Sequence, residues 1–125
     1  MTDAIRLHHV SLIVSDTGRS LAFYRDLLGL AEDPGRPDLG YPGAWLKAGD
    51  RLQVHLLELP NPDPVDGRPT HGGRDRHVAF AVADLDALRE RLEARGIPYT
   101  LSRSGRAALF CRDPDGNACE LIQAG

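Results

Sequence analysis

The stretch His9-Val10-Ser11-Leu12-Ile13-Val14-Ser15-Asp16 returns in outline as His77-Val78-Ala79-Phe80-Ala81-Val82-Ala83-Asp84. Each copy is a histidine, an apolar run and an aspartate seven positions on, and each leads into a segment with helical spacing. In a chain of 125 residues this is an internal duplication, and it repeats a potential metal ligand along with the fold. A histidine placed symmetrically in this way points to one site between two half-modules.

Outward from the first copy, Leu7 to Val14 reads as a buried strand. Asp16 or Thr17 can cap a following helix, whose Leu21, Tyr24, Leu27 and Leu28 fall at helical spacing, with Gly29 as its stop. A Pro/Gly-rich loop runs from Asp33 to Gly43, and two strands follow, Ala44 to Ala48 and Leu52 to Leu59. Gly49-Asp50 between them reads as a two-residue hairpin turn. Pro60 to Asp75 is Pro, Asp, Gly and Arg with almost nothing apolar, a linker. The order then repeats. A strand His77 to Val82 leads to a cap at Asp84 and a helix carrying Leu85, Leu88 and Leu92, which Gly96 and Pro98 end. Strands follow around Tyr99 to Ser102, Ala107 to Arg112 and Ala118 to Gln123, the last two joined by the turn Asp113-Pro114-Asp115-Gly116-Asn117. The expected architecture is α+β: two paired βαβββ modules in one domain over residues 1–125. Module 1–59, linker 60–75 and module 76–125 would form a curved mixed-sheet cleft with helices outside.

A hydrophobic fraction of 42%, a charged fraction of 26% and a net charge of −3 describe an ordinary globular chain. No basic face points to nucleic acid or to an anionic membrane. The apolar runs are too short to span a bilayer, and Met1-Thr2-Asp3-Ala4 does not open a signal peptide, so a cytoplasmic location is expected. Cys111 and Cys119 flank the last turn and can face each other across a hairpin. In a reducing compartment they are expected as free thiols, and no CxxC accompanies them to suggest zinc.

Strand alternation puts His9, Ser11 and Ile13 on one face and the uniformly aliphatic Val10, Leu12 and Val14 on the other. The same parity groups His77, Ala79 and Ala81. The duplication also sets Leu52-Gln53-Val54-His55-Leu56-Leu57 against Asn117-Ala118-Cys119-Glu120-Leu121-Ile122, and so His55 against Glu120. Four equivalent positions are thus filled by His9, His55, His77 and Glu120, imidazoles and a carboxylate suited to Zn, Ni, Mn, Co or Fe(II). His8 has the wrong parity and His71 lies in the linker; both read as surface or packing residues. Trp45, Tyr41, Phe110 and Arg103 to Arg106 are candidate pocket walls, although each is a type more common in cores or on solvated surface.

Leu7-His8-His9-Val10, Ser20-Leu21-Ala22-Phe23-Tyr24 with Leu28-Gly29, Arg76-His77-Val78-Ala79-Phe80, and Asp113 to Asn117 leading into Glu120-Leu121 together resemble the vicinal oxygen chelate superfamily. That group includes glyoxalase I, methylmalonyl-CoA epimerase, fosfomycin-resistance transferases, extradiol dioxygenases and metal-free bleomycin-binding proteins. The resemblance covers essentially the whole chain. It implies a divalent metal held by His9, His77 and Glu120, a small-molecule substrate with two adjacent oxygens, and a homodimer. His55 departs from the Glu or Gln usual in glyoxalase I and the epimerase. That leaves the site one negative charge short, and it leaves His55 as a fourth ligand or as a packed residue. The implied activity is lyase or isomerase chemistry with Glu120 as the proton-moving catalytic carboxylate. The alternatives are an Fe(II) extradiol-type dioxygenase and an antibiotic-binding or resistance protein.

Overall fold

The computed structural model describes residues 4–125, so Met1 to Asp3 of the first module lie outside the described residues. Strand β1 (His9–Val14) is followed by a short α1 (Thr17–Leu21) that widens into a π-helical turn over Ala22–Leu27. Then come β2 (Ala31–Asp33), β3 (Gly43–Lys47) and β4 (Gln53–Glu58). The second half repeats the order as β5 (His77–Val82), α2 (Leu85–Ala94), β6 (Tyr99–Leu101), β7 (Ala108–Arg112) and β8 (Ala118–Gln123). Each half makes a four-stranded mixed sheet, in the order β1-β4-β3-β2 and β5-β8-β7-β6. The first strand of each lies parallel to the last, and the other neighbours are antiparallel. The α+β fold of two βαβββ units is as the duplication implied.

The repeat unit ends where its helix begins. The Asp16 carboxylate accepts from the Arg19 amide at 3.1 Å and the Asp84 carboxylate from the Ala87 amide at 3.0 Å. Each aspartate satisfies an amide that the first helical turn leaves without a partner. Three local expectations are corrected. The first helix is not α-helical throughout: the Leu28 amide reaches back five residues to the Phe23 carbonyl, a π turn that buries Phe23, Tyr24 and Leu27 together. The β3–β4 connection is a three-residue loop, Gly49 to Arg51, closed by the Ala48 amide on the Leu52 carbonyl, with Gly49 at φ +89°. β2, just ahead of the Pro/Gly-rich stretch, had no sequence signal, because three residues are too few to show a period.

Val14, Tyr24, Leu27, Leu46, Leu56, Leu88, Leu92, Leu109 and Leu121 belong to one core that draws on both halves. The clasp between halves is polar. The buried Tyr24 hydroxyl donates to Asp113 Oδ2 at 2.7 Å, and the Asn117 side chain donates to the Ile13 carbonyl at 3.2 Å. The Ser15 amide donates to Asp115 at 3.0 Å. Asp113 also accepts from the Asp115 and Asn117 amides, so the Asp113–Asn117 turn fastens one module to the end of β1 in the other. Cys111 and Cys119 are register partners and both free and buried, as expected. Among the described residues no helix is long and apolar enough to cross a membrane.

Candidate metal centre

Alternation holds on both first strands: His9 and Ser11 are exposed, as are His77, Ala79 and Ala81, while Val14 is in the core. In register, β4 sets His55 beside Ser11, and β8 sets Glu120 beside Ala79. His55 and Glu120 are therefore equivalent, each buried, and each neighbours an exposed histidine two residues earlier on the adjacent strand. The duplication extends one strand further: β3 puts Trp45 opposite His55, and β7 puts Phe110 opposite Glu120.

In the first half the His55 ring is sandwiched. His9 stacks on it with centroids 4.0 Å apart, and Trp45 stacks at 4.5 Å. His55 Nε2 lies 2.9 Å from Gln53 Oε1, and Gln53 Nε2 donates to Asp33 Oδ2 at 2.8 Å. Burial first, then the neighbouring His9, His8 and Arg36, lower the His55 pKa and favour the neutral ring. His8 Nδ1 approaches His9 Nδ1 to 2.9 Å, so His8 is an exposed neighbour of the site.

In the second half His77 Nε2 lies 3.2 Å from Glu120 Oε1, and the Glu120 side chain is only 4% exposed. His77 Nδ1 is 2.8 Å from the Asp75 carbonyl. A carbonyl can only accept, so Nδ1 carries the proton, and in the neutral ring the Nε2 lone pair faces a carboxylate oxygen. Such an outer hydrogen bond is what orients a ligating histidine. The Asp75 backbone is held in turn: its carboxylate accepts from Arg68 at 2.8 Å and from Arg112 at 2.9 Å, which keeps it ionised far below the usual carboxylate range. Arg106 Nη2 sits 3.3 Å from the other Glu120 oxygen, Oε2.

The structure thus brings the sequence-predicted residues together in two pairs, His9 with His55 and His77 with Glu120. Within one chain it does not bring the four together. Among the described residues no group of three or more His, Cys, Asp or Glu side chains is arranged to hold a metal. A cavity of about 750 Å³ between the β1 and β5 edges has His9 on its lining but none of the other three. The sequence reading passed over Asp33, Gln53 and Asp75, which act only through a spatial neighbour and carry no motif. His71, read from the sequence as a surface or packing residue, packs edge-on against Phe110 at 5.0 Å while Nδ1 meets the Thr100 hydroxyl at 2.6 Å. Of the candidate pocket walls, Trp45, Phe110 and Arg106 touch the site.

The sequence profile of the Glyoxalase/Bleomycin resistance protein/Dioxygenase superfamily matches residues 6–121. The chain is 31% identical to Glyoxylase I 4 of Arabidopsis thaliana, over 92% of this chain and 68% of that protein. It is 32% identical to the lactoylglutathione lyase of Haemophilus influenzae, over 95% of this chain and 93% of the enzyme. The crystal structure of a glyoxalase-family protein from Bacillus anthracis superposes with a TM-score of 0.79 over 100% of both chains, at 24% identity, a likeness of fold.

Proposed function

The chain belongs to the Glyoxalase/Bleomycin resistance protein/Dioxygenase superfamily. From that premise we propose a divalent-metal enzyme whose centre is completed between two copies. His9 and His55 of one copy meet His77 and Glu120 of a second, and the substrate is a small molecule with vicinal oxygens. The observation that carries the metal is the His77–Glu120 pair: an imidazole nitrogen and a buried carboxylate oxygen 3.2 Å apart, donor atoms of the kinds a divalent ion takes. The observation that supports a second copy is that, among the described residues of one chain, no three of these side chains cluster to hold a metal. A two-fold dimer sets one pair of each copy against the other pair of its mate, twice. β1 and β5 also have unpaired outer edges, and Ile5 and Leu7 are 90% and 78% exposed just before β1.

A divalent ion bound there supplies Lewis acidity toward the two substrate oxygens. Around it the chain's own groups have distinct tasks. Glu120 is the carboxylate that can accept a substrate proton and return it one atom away, which is lyase or isomerase chemistry. Arg106, 3.3 Å from Oε2, adds a positive charge at the rim. Trp45 stacks on His55 and Phe110 packs T-shaped against His77, so each pair has one aromatic neighbour that limits its movement. Neutral His55 in place of a carboxylate leaves the centre more positive, which favours an anionic, two-oxygen ligand. We place this activity in the cytoplasm, where Cys111 and Cys119 stay reduced.

The test loads metal-free protein separately with Zn, Ni, Co, Mn and Fe(II), then measures bound metal and screens turnover. One ion per chain is expected, lost in His77→Ala. Glu120→Gln should keep an oxygen at the site while turnover falls on the order of 10²–10⁴-fold, the usual worth of a positioned acid–base group. Iron-dependent oxygen uptake would instead establish the dioxygenase reading, for which His9, His77 and Glu120 form the two-histidine, one-carboxylate set. A parent that takes up no metal would leave an antibiotic-binding module as the surviving reading, and unchanged metal content in His77→Ala would remove His77 from the centre.

A further inference from the structure

We infer that Asp33 and Gln53 fix the tautomer of His55, holding the ring proton on Nε2 and leaving Nδ1 as the only lone pair offered to a cation. The tautomer stands on geometry alone; the final clause rests on the metal reading above.

The donors and acceptors resolve in order from the outside in. The Gly35 amide donates to Asp33 Oδ1 at 2.9 Å, and the Gln53 side chain contacts Asp33 Oδ2 at 2.8 Å. An ionised carboxylate only accepts, so the NH₂ end of Gln53 faces Asp33 and its carbonyl faces the ring. The reverse amide would set Oε1 against Oδ2. Gln53 Oε1, 2.9 Å from His55 Nε2, can itself only accept, so Nε2 carries the proton. The ring cannot turn over and keep this bond, because a flip puts a carbon where Nε2 stands. Trp45 and His9 close on its two faces at 4.5 and 4.0 Å, which holds the ring plane. Asp33 lies on β2 and Gln53 and His55 on β4, with Trp45 of β3 between them in register. Gln53 reaches Asp33 over that middle strand. Both are positioning residues: each would act on a bound cation only through His55.

The second half anchors the other ring nitrogen. His77 gives its Nδ1 proton to the Asp75 carbonyl and turns Nε2 to Glu120. The two halves thus present different nitrogens from histidines that occupy different positions of the repeat, and an outer partner supplied by this chain decides each one.

The experiment is ¹⁵N–¹H long-range NMR of the histidine rings in metal-free, full-length protein at about pH 8, above the ordinary imidazole range. In the parent, His55 should show a protonated Nε2 and a bare Nδ1. Gln53→Leu removes the acceptor, and the two nitrogen shifts should move toward each other as both tautomers exchange. Gln53→Glu combined with Asp33→Asn keeps an oxygen acceptor on the ring without setting two carboxylates against each other, and should restore the single tautomer, a rescue that a packing role would not give. A protonated Nδ1 in the parent, or a single Nε2–H form retained in Gln53→Leu, overturns the inference. Zinc titrated into the parent should move the His55 Nδ1 signal and leave the Nε2 proton in place. Gln53→Leu should weaken zinc binding on the order of 10–100-fold, the typical worth of an outer partner. Zinc on Nε2, or affinity unchanged in Gln53→Leu, overturns the ligand clause. Zinc that moves no ring at all sinks the proposed metal centre instead, while the tautomer is decided by the metal-free spectra.

Discussion

A metal centre split between two copies makes a prediction that no single-chain centre shares. His9→Ala and His77→Ala each remove one exposed ring, so neither should disturb the core. In either variant alone, every centre in the dimer lacks one of its four donors. In a mixed dimer the losses are unequal. One centre takes the altered half of both chains and loses two donors, while the other takes His9 and His55 from the His77→Ala chain and His77 and Glu120 from the His9→Ala chain. That centre is whole. Random reassortment of equal amounts gives about half mixed dimers, each with one whole centre out of two, so about a quarter of the parental centres return. The assay is to unfold and refold the two variants together, confirm exchange by differential tagging, and measure tightly bound metal. Recovery near a quarter of the parental content, from two variants that hold little alone, is the expected result. If mixed dimers form and metal stays at the level of the separate variants, the four residues do not share a centre across copies and the assembly argument is wrong.

Further outcomes follow from contacts away from the centre. Tyr24→Phe deletes the buried donor to Asp113 and should lower unfolding free energy by about 1.5–3 kcal/mol in urea titration, the worth of a hydrogen bond to a charged group; a change under about 0.5 kcal/mol would show the clasp to be idle. The Asp75 pKa is depressed, by the Arg68 hydrogen bond first. Its stabilising contribution is therefore fully present above the unfolded-state value of 3.8 and is lost as pH falls below it. Asp75→Asn should flatten the acid limb of the stability–pH curve, and an unchanged limb would refute this. Burial pushes the Cys111 thiol up to about 12 and raises Cys119 as well, so an aromatic disulfide reagent at neutral pH should label both only at the rate of unfolding. Immediate labelling of the native protein would contradict that.

What the sequence determined by itself was whatever repeats or alternates locally. The two copies of the His…Asp stretch carried the strands, the capping aspartates and the face on which His9 and His77 stand, because strand parity and helix caps are set by neighbours a few residues apart. The match of His55 to Glu120 was readable for the same reason, since a duplication preserves register. The π turn at Ala22–Leu27 was not readable, because π and α segments of that length place apolar residues almost alike. Tertiary structure alone decided which side chains act on which. Asp33 came within reach of Gln53 only when β3 carried Trp45 between β4 and β2. Arg106 reached Glu120 from a loop, and the Asp75 carbonyl became the acceptor for His77 only when Arg68 and Arg112 fixed that corner. Tertiary structure also decided that, among the described residues of one chain, the two pairs do not form a single cluster. A repeat fixes equivalence, but the distance between equivalent points depends on how the modules dock, and the Tyr24–Asp113 clasp joins residues 89 apart.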